Sequence, residues 1–126
     1  MELPSHVDLG YIARVIRTLC VEGDVIEVRV LGVPRKGPIS GYFNDFDRLT
    51  FAVAQYDSRA EATYFTLNPV QPALLARGDN RLVEWAKHTT SDADIVCRRG
   101  MLIDLDPARP AGISSSDVEL QAALTR

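Results

Sequence analysis

Two carboxylates one residue apart, Asp104 and Asp106, close an apolar run that opens Arg98-Arg99-Gly100-Met101-Leu102-Ile103. In a strand, side chains at i and i+2 share a face, so Asp104 and Asp106 would project together while Ile103 and Leu105 face the other way. Carboxylates this close resist joint ionisation, so the pair is at ease only in open solvent or with a cation between its members. Mg²⁺ or Mn²⁺ suits it, because hard ions prefer carboxylate oxygen. Alternate residues span roughly 6–7 Å at about 3.3 Å rise each, enough to address two ions about 3.5–4 Å apart. The same letters also read as plain turn chemistry, with Asp104 beginning a turn and Asp106-Pro107 an ordinary loop. D-x-D after an apolar strand equally suits metal-dependent phosphatases and sugar transferases.

The elements that must position this pair follow from the patterning. Asp8 caps a helix in which Tyr11, Ile12, Val15, Ile16 and Leu19 recur at helical spacing, ended by Gly23. Asp24 to Leu31 alternates around Ile26, Val28 and Val30, as a half-buried strand does. Gly32 to Gly37 is a loop whose Arg35-Lys36 pair is suited to solvation or to phosphate. Ile39 to Phe43 reads as a short strand, and Asn44 or Asp45 caps a helix carrying Phe46, Leu49, Val53 and Tyr56 on one face. Glu61 to Leu67 is β-rich and closed by Asn68-Pro69. Pro72 opens a short helix over 73–77, and Arg81 to Ala86 reads as one more helical turn, with Trp85 as a core or hinge anchor rather than a base-stacking platform. The polar stretch Lys87 to Asp94 leads toward Met101 to Leu105, which is expected to be an interior strand sharing a sheet with Val25 to Leu31 and Ala62 to Leu67. In that stretch, Asp92 and Asp94 are spare ligands or makers of local backbone bonds, and His88 is a loop histidine. One of Ser114, Ser115 and Ser116 caps a last helix, with Glu119 in its first turn.

Composition bounds the function classes. The chain has 126 residues, 46% of them apolar, a net charge of −3 and a mean hydropathy of −0.04. That is one α/β domain with a real core, and a pI near 5.3 argues against whole-surface electrostatic binding of nucleic acid. Cys20 and Cys97 lack metal-ligand spacing and read as buried reduced thiols. No run approaches the ~18 apolar residues of a membrane span, and the expected setting is cytoplasmic, with no membrane partner.

Three stretches together, Tyr64-Phe65-Thr66-Leu67-Asn68-Pro69-Val70, Thr89-Thr90-Ser91-Asp92-Ala93-Asp94-Ile95 and Leu102-Ile103-Asp104-Leu105-Asp106-Pro107-Ala108-Arg109-Pro110-Ala111-Gly112-Ile113-Ser114, resemble the N-terminal part of phage- and plasmid-type primase-polymerase domains of the archaeo-eukaryotic primase superfamily. The resemblance covers the chain from about Val25 onward, and D-x-D-P-x-R-P-x-G-I-S is its most specific piece. It implies a nucleotidyl transferase of DNA replication, with an RNA-recognition-like sheet and flanking helices forming an incomplete catalytic core. Asp104 and Asp106 would be the catalytic, metal-holding pair, and Mg²⁺ or Mn²⁺ the cofactor. Nucleoside triphosphates, a DNA template and a replicative helicase domain or protein would be the partners. Arg98, Arg99 and Arg109 would lie near nucleotide or nucleic-acid phosphate.

This chain departs from the family pattern. The family's second motif carries a histidine and its third another aspartate, both beyond the helix that begins near Ser116, and neither His6 nor His88 stands in the matching context. The resemblance therefore implies the N-terminal portion of a longer enzyme or a shortened relative, inactive or nearly so by itself and prone to self-association. The alternatives are a metal-dependent phosphohydrolase or sugar transferase on the same D-x-D, and a noncatalytic module docking on replication proteins or nucleic acid.

Overall fold

The computed structural model describes residues 2–106, 108, 112 and 116–125. Its elements run α1 (Leu9–Leu19), β1 (Ile26–Leu31), β2 (Ile39–Phe43), α2 (Phe46–Gln55), β3 (Ala62–Phe65), 3₁₀ turns at Pro72–Arg77 and Asp92–Asp94, and α3 (Asp117–Leu124). The helix starts obey the capping rule. Asp8 Oδ1 accepts from the Tyr11 amide at 2.9 Å, Asp45 Oδ1 accepts from the Asp47 and Arg48 amides at 3.1 Å, and Ser116 and Glu119 form a reciprocal capping box.

The three strands form one antiparallel sheet in the order β2-β1-β3, with Val28 opposite Gly41 on one side and Phe65 on the other. β2 and β3 are thus parallel to each other, joined through α2 and separated by β1. The period of two sorts the sheet's residues. Ile26, Val28, Val30, Ile39 and Phe43 face α1 and α2 and build the main core with Ile16, Phe46 and Leu49. Glu27, Arg29, Ser40 and Tyr42 take the opposite face, where Leu74 and Leu75 of the first 3₁₀ turn, with Val70 and Ile95, add a smaller apolar cluster with Val25 and Tyr42.

The free edge of β2 is capped by backbone from 78–83. Val83 exchanges both amide–carbonyl bonds with Ser40, and the Tyr42 amide and carbonyl bond Gly78 and Asn80. Gly41 is what lets this segment in, since a Cβ there would stand 2.1 Å from the Arg81 carbonyl oxygen. Asn80, at φ +51°, accepts from the Asn44 and Asp45 amides and so fixes the turn from β2 into α2.

Four sequence expectations fail, two of them for single residues, since Trp85 and Cys97 are exposed rather than core and buried. Arg81 to Ala86 is not a helical turn but a bend at Arg81, a bridge at Val83 and a turn at Glu84-Trp85, because its backbone groups are taken by β2 and by the 36–38 loop. Met101 to Leu105 is not a strand, although β1 and β3 do share a sheet as expected: no ladder partner reaches it among the described residues. Met101 and Leu102 are 81% and 83% exposed. No helix among the described residues is long and apolar enough to cross a membrane.

Candidate functional site

The carboxylate pair sits on a tether with a firm root. Asn68, three residues past the end of β3, accepts from the Arg99 and Gly100 amides, each at 2.8 Å, and donates to the Gly100 carbonyl at 3.1 Å. Arg99 also pairs with Asp24 just ahead of β1. Beyond that root, Asp104 and Asp106 are both exposed. With no strand at 101–105, the shared face expected of the two carboxylates is not set by a strand, and no set of three His, Cys, Asp or Glu side chains able to hold a metal is found among the described residues. Of the three arginines expected near phosphate, Arg98 is exposed, Arg99 is engaged by Asp24, and Arg109 lies outside the described residues, as do Pro107 and most of the string that follows it. Asp94 accepts from the Ser91 amide and hydroxyl at 2.8 and 3.0 Å, which is the local backbone role. Lys36 is paired with Glu84 at 2.7 Å.

The densest polar chemistry lies elsewhere, on the sheet face away from α1 and α2. Glu27 has no exposed side-chain surface. Its Oε1 accepts from Arg29 Nε at 2.5 Å and Ser40 Oγ at 3.2 Å, and its Oε2 from the Thr90 amide at 2.7 Å and Tyr42 Oη at 3.5 Å. Arg29 in turn donates to the Thr90 carbonyl at 2.6 Å. Burial pushes the Glu27 carboxyl up, but the bonds from Arg29 and Thr90 and the guanidinium charge outweigh it and hold the group below the usual carboxylate range. A charge without surface must be fully bonded to be tolerated, and this one is. The network straps the 88–95 segment, 61 to 63 residues away in sequence, onto β1.

Clefts of about 320 and 440 Å³ flank the strap. Tyr42, Arg77, Trp85, Lys87 and His88 line the smaller, and Arg29, Tyr64, Thr66 and Ser91 are among those lining the larger. Trp85 is not the expected core anchor: it is 63% exposed, at φ +55°. One signal in the sequence points to the network. Glu27 and Arg29 share strand parity on β1, and Ser40 and Tyr42 share it on β2, so pairing the strands brings four polar side chains to one face.

Compared with protein-family models, curated proteins and solved structures, the chain matches none.

Proposed function

We propose that this chain carries the first half of a divalent-metal-dependent nucleotidyl-transfer site of the primase-polymerase type, with Asp104 and Asp106 as its metal-holding carboxylates. The reading is supported by one observation: the apolar run that ends at the exposed residues Asp104 and Asp106 opens the sequence string Asp-Leu-Asp-Pro-Ala-Arg-Pro-Ala-Gly-Ile-Ser, in a domain of mixed α/β build. Mg²⁺ or Mn²⁺, when bound, would supply charge neutralisation at a triphosphate and activation of a hydroxyl. The chain's own part is to present two hard oxygen ligands and to fix where they emerge, through Asn68 and the Arg99–Asp24 pair. Two carboxylates leave most of an octahedral shell to water, so the chain binds the ion weakly and a nucleoside triphosphate tightens it.

The test is template-directed primer synthesis by three proteins. One is the 126-residue chain, one is the chain joined to a segment bearing the family's histidine and third aspartate, and one is that longer form with Asp104→Asn and Asp106→Asn. The reading expects synthesis only by the second, since lost oriented charge costs orders of magnitude in rate. Robust synthesis by the short chain, or a longer form indifferent to both substitutions, would overturn it.

A further inference from the structure

The smaller cleft combines four features that structural packing alone does not require. Trp85 shows most of its surface, yet its backbone is held in the left-handed region, uncommon and costly for a bulky non-glycine residue. It is held there by bonds from its own amide to the Lys36 carbonyl at 3.1 Å and from the Ala86 amide to the Pro38 carbonyl at 2.9 Å. The indole lies against Gly37, where a Cβ would come within 2.4 Å of its Cε3, so it is seated as a fixed platform. Around it stand Arg77, Lys87 and His88, with no acidic side chain in the lining.

The nearby acids are already engaged. Glu84 pairs with Lys36, Glu27 lies buried under Tyr42 and Ser40 against Arg29, and Asp94 caps its own turn while lending Arg77 some opposite charge. Arg77 makes no ion pair of contact distance among the described residues. Its guanidinium sits 6.0 Å from the Tyr42 ring centre and donates to the Tyr42 hydroxyl at 3.4 Å, which fixes its direction. Lys87 has no hydrogen bond or ion pair among the described residues. An aromatic face beside two cations suits a flat ring that carries negative charge, and about 320 Å³ is at the small end of ligand sites, which run from about 300 to 1,000 Å³.

We infer that this cleft binds a nucleotide unit, its base stacked on Trp85 and its phosphate held by Arg77 and Lys87. The choice of a nucleotide among aromatic phosphates rests on the nucleotidyl-transfer reading, whereas the geometry of the cleft does not draw on Asp104 or Asp106. A free mononucleotide and one unit of a single strand share this chemistry.

The chain has one tryptophan, so its emission reports on Trp85 alone. The full chain is titrated with a short oligothymidylate, with thymidine monophosphate and with inorganic phosphate. Saturable quenching is expected from the oligomer, the mononucleotide or both; quenching by the oligomer alone identifies the source as a strand. Two phosphate-binding cations give a single strand a log–log salt slope of roughly −1.4, at about −0.7 each, so a fourfold rise in salt weakens binding about sevenfold. Lys87→Glu and Arg77→Gln each weaken binding several-fold, and Lys87→Glu does so with an unchanged melting temperature. Asp104→Asn with Asp106→Asn leaves the quenching intact, so this inference and the metal reading fail separately. No saturable quenching by either nucleotide form, quenching indifferent to both cleft substitutions, or equal quenching by inorganic phosphate would overturn it.

Discussion

Removing the Glu27 carboxylate should cost this domain more than any other single polar change. Glu27→Ala strips one acceptor from Arg29, the Thr90 amide, Ser40 and Tyr42 at once. Breaking a buried charge pair from one side costs about 3–5 kcal/mol, because the other charge is left unpaired. The Arg29 side chain is 36% exposed and can turn to water, which lowers the expectation to about 2–4 kcal/mol. For a domain of this size that is a fall in melting temperature of about 8–15 °C. Glu27→Gln keeps an acceptor for Thr90 but not the charge, and should lose about half as much. The pH dependence has a definite sign. The folded-state pKa of Glu27 is depressed, so its stabilisation is complete above the unfolded value of about 4.3 and is lost as pH falls from there through the folded value. Glu27→Gln should therefore flatten the acid limb of the stability curve. Urea unfolding followed by circular dichroism measures all of this, and limited proteolysis at Lys87 reports whether the 88–95 strap has come loose. A loss below about 0.5 kcal/mol for Glu27→Ala, the level of an ordinary surface substitution, would refute the assignment of Glu27 as the strap's anchor.

Other outcomes are equally specific. Native-state alkylation should label exposed Cys97 rapidly and spare Cys20, whose thiol is buried and pushed up to about 11 by desolvation and by Asp24; equal labelling of both by mass spectrometry would contradict the packing of α1. Gly41→Ala should destabilise by about 1–3 kcal/mol, an overpacking cost, because the new methyl meets the Arg81 carbonyl; an unchanged unfolding midpoint would mean that 78–83 does not close the β2 edge. Asn68→Ala removes three backbone bonds at 99–100, and hydrogen exchange there should accelerate at least tenfold while β1 amides stay protected; no change would unseat Asn68 as the root of the Asp104–Asp106 tether.

The parts of this fold that were legible in the sequence are those whose cause is local. Asp8 and Asp45 precede amphipathic runs and cap them, and the alternation from Ile26 to Val30 marks β1, which pairs with β2 and β3 on its two sides. Positions decided by distant partners were not legible. Arg81 to Ala86 has helical composition but bends and turns along the β2 edge, because Gly41 opens that edge to it. Met101 to Leu105 has strand composition, yet a strand is a pairing, and no partner stands beside it among the described residues. Glu27 read as the solvent side of a half-buried strand, and it is buried because Thr90, remote in sequence, folds over it. Trp85 read as a core or hinge anchor on residue type alone, and its backbone, fixed by Lys36 and Pro38, turns it outward. Of the candidate site, residue type made Asp104 and Asp106 stand out, whereas the anchoring by Asn68 and Asp24 needed the fold.

Mn²⁺ broadening of backbone amide resonances, with and without a nucleoside triphosphate, bears most directly on the metal reading of Asp104 and Asp106. The expected result is weak broadening centred on residues 103–106 that tightens when the triphosphate is added and disappears in the Asp104→Asn, Asp106→Asn protein. Broadening centred elsewhere, or persisting unchanged after both substitutions, would contradict it.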